Sequence, residues 1–344
     1  MWKKLFYLKL QTSANCRCFR SARGSLTRPL ARASPHLLLS LALQSKSRAI
    51  ANVGTPWSLS EIMPKIFIRL NNLKSIYNSK TKNVVITIPL ILILVFSYPY
   101  LFRSALYYGK SEKIDPKLIP GELITISNSN REVNAHLLKG KDLSSKGLVV
   151  MLHGQGGTMY GEARFFKHFY EQGYSGLFVE YAGFGLSKKY FPSENNLYDD
   201  SEKVIRYVQA KYDFPPNKTI LWGRSLGSGV AIELSLRNIS SHLILVTPYT
   251  SIYEVARYKY TQLIPEFLII DKFESISKAA NLSLPTLIIG AKLDNMTPIN
   301  MALALHDKIK HSSYLELATA DHFTVNENLS EKDFGKIFDF LAKK

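Results

Sequence analysis

One stretch of the chain, residues 219–234, constrains the fold more than any other. A short apolar run leads into Gly-x-Ser-x-Gly, and apolar residues at helical spacing follow, so the pattern predicts a strand, a tight turn and a helix. Ser225 occupies the turn, and Gly223 and Gly227 lack the β-carbons that so sharp a bend excludes. The backbone N–H of Leu226 would then lie at a helix N-terminus beside the serine hydroxyl. The sequence therefore predicts a nucleophile elbow.

Short apolar runs alternate with helical patterns from residue 120 onward. An antiparallel pair is predicted at 122–127 and 132–138, and further strands at 148–152, 176–181, 219–222, 243–247, 286–290 and 314–317. Helices are predicted at 160–172, 197–211, 226–237, 299–308 and 331–342. This alternation indicates an α/β fold with a mostly parallel eight-stranded sheet and helices on both faces. Ligands of such sheets bind at the carboxyl ends of the strands.

A serine hydroxyl is a poor nucleophile, so Ser225 needs a base, and that base needs an orienting carboxylate. Asp294 follows one buried strand and His322 follows the last one. The order Ser, Asp, His is typical of proteins with this kind of elbow. Two alternatives stay open: Asp294 as a turn or helix-capping residue, and His322 as a surface loop residue. Asp321 is a competing carboxylate, but its adjacency to His322 makes contact with the far side of the imidazole difficult.

A second oxyanion donor is expected in the glycine-rich turn His-Gly-Gln-Gly-Gly at 153–157, which leaves the strand at 148–152. Glycines let the backbone approach a substrate closely, and the N–H of Gln155 is the candidate donor beside that of Leu226. A phosphate-binding loop is the competing interpretation. The sequence disfavours it because no Gly-Lys-Ser/Thr ending follows.

Residues 247–285 contain a short helical insertion rich in aromatic and aliphatic side chains. Its position above the strand ends predicts a small cap. The apolar side chains could line an acyl pocket or simply pack the cap onto the core.

Residues 84–102 are nineteen residues without a charged side chain. At 1.5 Å per residue a helix of this length covers roughly 28 Å, close to the thickness of the hydrocarbon core of a bilayer. Lys80 and Lys82 flank one end and Arg103 the other. The stretch therefore predicts one transmembrane helix, with a buried core helix as the alternative. Basic residues before the helix and a large domain after it favour a signal anchor with the N-terminus in the cytoplasm or matrix.

The formal net charge of +17 is concentrated before residue 111, where 17 Lys and Arg face a single acidic residue, Glu61. The remainder is nearly neutral, so the globular part has no electrostatic footprint for nucleic acid. The Arg- and Ser-rich extension at 1–62 matches a transit peptide, for example a mitochondrial one, or an over-long gene prediction with Met63 as the true start. A basic juxtamembrane segment at 63–83, a linker at 103–119 and the catalytic domain at 120–344 complete the predicted organisation.

Several motifs occur in one order along the chain. They are His-Gly at 153–154, Tyr-Ala-Gly-Phe-Gly-Leu-Ser at 181–187, Gly-Arg-Ser-Leu-Gly at 223–227, Thr-Pro-Tyr-Thr-Ser at 247–251, Asp294 and His322. Together they resemble the α/β-hydrolase superfamily, in particular its single-pass, membrane-anchored α/β-hydrolase-domain proteins. That branch is related to protein depalmitoylases and serine-aminopeptidase-like hydrolases, and the resemblance covers about residues 120–343.

The resemblance implies Ser225 as the nucleophile, His322 as the general base and Asp294 as the carboxylate that orients it. It also implies Gln155 and Leu226 as the oxyanion donors. Relatives often have Asn where this chain has Gln155, and a small polar residue in place of Phe323. Both departures concern the substrate more than the mechanism.

The expected function is a membrane-anchored serine hydrolase that forms an acyl-enzyme, with an ester or thioester of a lipid or acylated protein as the substrate. The expected partners are the bilayer and that substrate, and no metal or organic cofactor is required. Two alternatives remain: a serine peptidase of the aminopeptidase type, and an inactive hydrolase domain that serves as a membrane-tethered binding module.

Overall fold

The computed structural model describes residues 79–108, 115–140, 146–163, 165–260 and 264–343. The predicted extension at 1–62 and residues 63–78 of the predicted juxtamembrane segment lie outside the described residues. The described chain forms two compact units, one from Val95 to the C-terminus and one within Asn15–Leu94. The second unit is described only from residue 79 onward.

Eight strands of the described residues form one sheet. They are β1 (Glu122–Asn128), β2 (Arg131–Leu138), β3 (Leu148–Leu152), β4 (Ser175–Val179), β5 (Thr219–Arg224), β6 (His242–Val246), β7 (Thr286–Ala291) and β8 (Ser312–Leu317). Their order in the sheet is β1-β2-β4-β3-β5-β6-β7-β8. Pairing is antiparallel from β1 through β2 to β4 and parallel elsewhere. The predicted fold class is therefore confirmed for the sheet.

The described helices alternate with these strands. They are α1 (Ser79–Leu106), α2 (Phe166–Glu171), α3 (Glu194–Tyr212), α4 (Leu226–Leu236), α5 (Ile252–Lys259), α6 (Ser275–Ala279), α7 (Ile299–Lys308) and α8 (Glu331–Ala342). Short 3₁₀ turns lie at Pro116–Leu118, Gly185–Ser187, Pro216–Lys218 and Glu266–Leu268. Within the predicted cap, the described regular structure is thus limited to α5, one 3₁₀ turn and α6.

The sheet separates two apolar clusters because successive side chains of a strand point to opposite faces. In β3, for example, Val150 belongs to the cluster beneath α3, α4 and α7, whereas Met151 belongs to the cluster beneath α2 and α8. Both faces of the central strands are thus covered, which explains why strands such as β3 and β6 are largely apolar. This packing holds the carboxyl ends of β3, β5, β7 and β8 at one edge.

The helix predicted at 160–172 is wrong in its first half, since α2 begins only at Phe166. The preceding residues form successive turns, with Gly161 N–H bonded to Thr158 O and Ala163 N–H to Tyr160 O. These turns place Glu162 in a buried position, where it is hydrogen-bonded to distant side chains. A tertiary contact has here overridden the helical pattern.

α1 is longer than the span predicted at 84–102 and ends at Leu106. Its stretch Thr87–Leu106 is long and apolar enough to cross a membrane, judged by length and composition. The helix continues past residue 102 because its last turns have partners in the globular unit. Phe102 and Leu106 pack against the apolar core, and Arg103 pairs with Asp271.

Candidate active site

The turn between β5 and α4 is a strained strand–turn–helix bend. Ser225 has φ 50° and ψ −119°, and its N–H donates to Val246 O at 2.9 Å. A β-carbon at Gly223 would lie 2.4 Å from Gly227 O, and one at Gly227 would lie 2.1 Å from Leu152 O. Both glycines are therefore required by close backbone approach, as the sequence pattern predicts. Strain of this kind is typical of functional sites.

The structure brings Ser225, His322 and Asp294 together at the carboxyl edge of the sheet. Ser225 Oγ lies 2.9 Å from His322 Nε2, and His322 Nδ1 lies 2.7 Å from Asp294 Oδ2. His322 and Asp294 are buried, at 6% and 7% exposure, whereas Ser225 is partly exposed. A hydroxyl open to a ligand is thus linked to a buried imidazole and carboxylate, which is the arrangement of a nucleophile, a base and an orienting group.

Asp294 makes the contacts expected under both of the interpretations that the sequence leaves open. Its Oδ1 accepts hydrogen bonds from the N–H groups of Met296 and Thr297, each at 2.8 Å, as a turn aspartate does. Its Oδ2 contacts His322. Thr297, which sequence reasoning missed, adds a hydroxyl 3.0 Å from Asp294 Oδ2 and 3.1 Å from Thr247 O. The turn therefore holds the carboxylate in the orientation that faces the imidazole.

Asp321 does not compete for the imidazole. Its Oδ1 accepts hydrogen bonds from the N–H of Phe323 at 2.9 Å and from the N–H and hydroxyl of Thr324, both at 2.8 Å. The N–H of Thr324 is the largest of the influences that hold the pKa of Asp321 below its ordinary value. Asp321 therefore shapes the loop that carries His322 rather than orienting the ring.

Arg224, the residue before the serine, is a second contact that sequence reasoning missed. One guanidinium nitrogen donates to Glu162 Oε1 at 3.2 Å, and the other donates to His322 O at 3.0 Å. Asn326 Nδ2 donates to the other Glu162 oxygen at 2.6 Å. The network joins the elbow to the histidine loop. Its only sequence signal is a charged residue shortly after the apolar run of the predicted strand.

The two predicted oxyanion donors lie at the ends of β5 and β3. Leu226 is the first residue of α4, where backbone N–H groups lack partners within the helix. Gln155 lies in the turn after β3, and the neighbouring Gly154 is tight against the elbow, since its β-carbon would lie 3.2 Å from Ser225 Cβ. The predicted oxyanion donor of Gln155 is its backbone N–H. Its side chain makes a separate contact, in which Nε2 donates to Ala105 O at 2.7 Å.

A cavity of about 180 Å³ opens onto Ser225 and His322. Its wall is mostly apolar and includes Phe102 and Leu106 of α1, Ile252, Val255 and Ala256 of α5, and Tyr249. Burial raises the pKa of Tyr249 well above its ordinary value, so a neutral phenol lines the cavity. Among the described wall residues the charged side chains are Arg224 and Lys259, and none is acidic.

No group of three or more His, Cys, Asp or Glu side chains within the described ranges could hold a metal ion. The reactive groups that the structure places at the site are a hydroxyl, an imidazole, a carboxylate and backbone N–H groups.

Comparison with known proteins agrees with this geometry. The family model described as serine aminopeptidase, S33, matches residues 144–269. The chain is 30% identical over 192 residues to lysophosphatidylserine lipase ABHD12 of Danio rerio, covering 50% of each chain. It is 32% identical over 129 residues to alpha/beta hydrolase domain-containing protein 17B of Homo sapiens, covering 38% of this chain and 43% of that protein. The chain thus spans half or less of these two relatives.

Among solved structures, Est1E from Butyrivibrio proteoclasticus, determined with ferulic acid bound, superimposes with a TM-score of 0.54 at 19% identity. The match covers 64% of this chain and all of Est1E, so the two share a fold. Strand order, elbow, family model and relatives agree: the described domain has the α/β-hydrolase fold, and the chain is similar to members of the α/β-hydrolase superfamily.

Proposed function

We propose that this protein is a membrane-anchored serine hydrolase that cleaves carboxylic ester or thioester bonds through an acyl-enzyme. One observation carries the proposal: an unbroken series of contacts runs from Ser225 Oγ through both nitrogens of His322 to Asp294 Oδ2, at 2.9 and 2.7 Å. These are the distances at which protons are transferred along such a series.

In the acylation step, His322 Nε2 accepts the hydroxyl proton as Ser225 Oγ bonds to the substrate carbonyl carbon. Asp294 keeps Nδ1 protonated and stabilises the imidazolium that forms. The N–H groups of Leu226 and Gln155 donate to the carbonyl oxygen as it becomes an oxyanion. The imidazolium then returns its proton to the leaving alcohol or thiol, and the acyl group stays on the serine.

Deacylation repeats this chemistry with water as the nucleophile. His322 takes a proton from water, the hydroxide bonds to the acyl carbon, and the proton passes to Ser225 Oγ as the carboxylic acid leaves. Every proton and bond is thus accounted for by side chains and substrate, and no cofactor is required.

The wall of the cavity favours an acyl group over a peptide N-terminus. An aminopeptidase must bind the substrate's α-ammonium group, for which a carboxylate is the natural partner. Acidic side chains are absent from the described wall, and the charged ones, Arg224 and Lys259, are cationic. Apolar side chains from α1 and α5 suit a hydrocarbon chain instead.

Membrane anchoring is supported by the apolar stretch Thr87–Leu106 of α1. The last turns of this stretch, from Phe102 onward, pack on the globular unit, so the part of α1 proposed to lie in the bilayer is the part that precedes them. The proposed partners are accordingly a bilayer and an acylated lipid or protein. Protease protection of the full chain in sealed vesicles tests the orientation, with the globular unit expected on the side opposite the N-terminus.

A fluorophosphonate probe tests the mechanism directly, because it reacts with activated serines. We expect labelling of the full-length protein that Ser225→Ala abolishes. Ser235→Ala is a matched control, since Ser235 is buried on the same helix and donates to Ala231 O at 2.8 Å away from the site. Absence of labelling in a folded wild type would favour the inactive binding module instead.

Substrate class is tested by comparing p-nitrophenyl esters with aminoacyl p-nitroanilides at equal concentration. We expect the ester to be hydrolysed faster. A higher kcat/KM on the amide would overturn the choice of ester and establish a peptidase.

A further inference from the structure

The last turns of α1 form part of the wall around the candidate nucleophile. Phe102, Ala105 and Leu106 all line the cavity that contains Ser225. They are spaced i, i+3 and i+4, so they share one face of the helix. The end of the apolar helix is therefore a part of the site.

Two polar contacts hold this helix end in place. Arg103 Nη2 donates to Asp271 Oδ1 at 2.7 Å, and its Nε also bonds to this buried carboxylate. Asp271 Oδ1 in turn accepts the first N–H of α3, from Glu194, at 3.1 Å. The pairing thus ties α1 to the frame of the globular unit, because a buried charge that loses its partner is costly.

The second contact joins the helix end to the oxyanion loop. Gln155 Nε2 donates to Ala105 O at 2.7 Å, one of the carbonyl groups left without a partner where a helix ends. The backbone N–H of the same Gln155 is the proposed oxyanion donor. A shift of α1 would therefore also shift that donor. The contact uses the full length of the Gln155 side chain, which is one methylene longer than the Asn found in relatives.

The opposite wall is the apolar face of α5, formed by Ile252, Val255 and Ala256. Tyr260 and Phe323 lie at the opening, at 71% and 67% exposure. Two large aromatic side chains so exposed beside an apolar helix are typical of contact with an apolar phase. The cavity is thus a slot between α1 and α5, with Ser225 within it and an aromatic opening.

The size of the slot limits what it encloses. A cavity of about 150 Å³ holds a ligand the size of benzene, and this one measures about 180 Å³. Only the first few carbons of a chain fit inside. A longer chain would continue outward over the apolar surface of α1, along the helix that the proposed function places in the bilayer.

We propose that the end of α1, through Phe102, Ala105 and Leu106, forms one wall of a binding site for a single acyl chain. This inference rests on the proposed function, since the chain it holds is the acyl part of the ester or thioester. The anchor would thereby select long-chain substrates as well as attach the domain to the membrane. The same chain chemistry occurs in a monoacyl lipid and in an S-acylated cysteine.

The test uses the full-length protein in phosphatidylcholine vesicles. One arm measures hydrolysis of lysophosphatidylcholine and the other of an S-acyl cysteine peptide, each with a sixteen-carbon and a two-carbon acyl chain, the second being too short to extend along the wall that α1 forms. Ala105→Trp is expected to lower kcat/KM for the long chain by about tenfold or more, and for the short chain by less than about twofold. Ser104→Trp is the matched control, because Ser104 is exposed and outside the cavity wall.

The outcomes separate the two proposals. A wild type that neither reacts with a fluorophosphonate nor hydrolyses any substrate defeats the proposed function, and the acyl site with it. An active wild type in which Ala105→Trp affects long and short chains equally, or affects neither, defeats the acyl site alone. The ratio of kcat/KM for the long chain to kcat/KM for the short chain is then compared between the two arms. The larger ratio shows whether the acyl chain comes from a monoacyl lipid or from an S-acylated cysteine.

A second variant covers the case in which the tryptophan prevents folding. Phe102→Ala removes an aromatic contact and leaves space, so we expect a KM for the long chain raised by about fivefold or more with kcat and short-chain KM little changed. Unchanged long-chain KM in this variant would overturn the proposal.

Discussion

Arg224→Met is the most informative change to the framework of the site. It keeps the approximate length of the side chain and removes the charge that faces Glu162 at 3.2 Å and the donor to His322 O at 3.0 Å. The side chains of Arg224 and Glu162 are 17% and 6% exposed, so this ion pair is largely shielded from water. The substitution therefore leaves a buried carboxylate with Asn326 as its remaining partner.

The expected loss of unfolding free energy follows from the Glu162 carboxylate that no longer has a cationic partner. Removing one member of a buried ion pair costs about 3–5 kcal/mol. Because Asn326 still donates to Glu162 and Arg224 has some solvent contact, the lower end applies, about 3 kcal/mol. For a domain of this size, about 1 kcal/mol shifts the melting temperature by about 2–4 °C, so we expect a loss of roughly 6–12 °C.

Thermal unfolding at a fixed scan rate in detergent measures this shift. Arg206→Met is the control, because Arg206 is 48% exposed and its pair with Glu202 contributes less than about 1 kcal/mol. The double variant Glu162→Gln with Arg224→Met removes both charges and is expected to recover at least about half of the loss. A melting temperature for Arg224→Met equal to that of the control would refute the reasoning, as would a double variant less stable than the single one.

Three further predictions concern the elbow and the loops. Asp294→Asn is expected to lower kcat on a short-chain ester by about 10⁴-fold, because the wrong imidazole tautomer is favoured; a loss below tenfold would leave Asp294 as a turn residue only. Gly227→Ala places a β-carbon 2.1 Å from Leu152 O, so Ser225 should lose fluorophosphonate labelling, and normal labelling would contradict the elbow geometry. Asp321 has a lowered pKa, so it stabilises the fold above its unfolded pKa of about 4, and this contribution disappears as pH falls through the folded value. Asp321→Asn should thus be less stable than wild type at pH 7 and equally stable at low pH, which urea unfolding at both pH values measures.

Local sequence determined the elements and their type. Apolar runs predict central strands such as β3 and β6, because a strand buried on both faces must be largely apolar, whereas the edge strands β1 and β8 mix exposed and buried residues. Helices such as Ile299–Lys308 and Glu331–Ala342 agree with their predicted bounds, and the second begins at a capping box formed by Ser330 and Asp333. The elbow is also predicted from local sequence, because the tight turn at the serine requires the two glycines of Gly-x-Ser-x-Gly.

Chain order also predicted which side chains meet. Ser225, Asp294 and His322 each follow a different strand of one sheet, and parallel strands bring their carboxyl ends to one edge. Only the tertiary structure decided the distances of 2.9 and 2.7 Å, and showed that Asp321 turns to its own loop. Adjacent residues in a loop can point in different directions, which a pattern of residue types does not specify.

Contacts between residues far apart in the chain were beyond local patterns altogether. The bond from Gln155 to Ala105, the pair of Arg103 with Asp271 and the network of Arg224 all depend on how the elements pack. The sequence by itself determined an α/β fold, a nucleophile elbow and an apolar helix before it. Tertiary structure alone decided that the end of this helix lines the cavity at the serine, because only packing brings side chains separated by more than a hundred residues into contact.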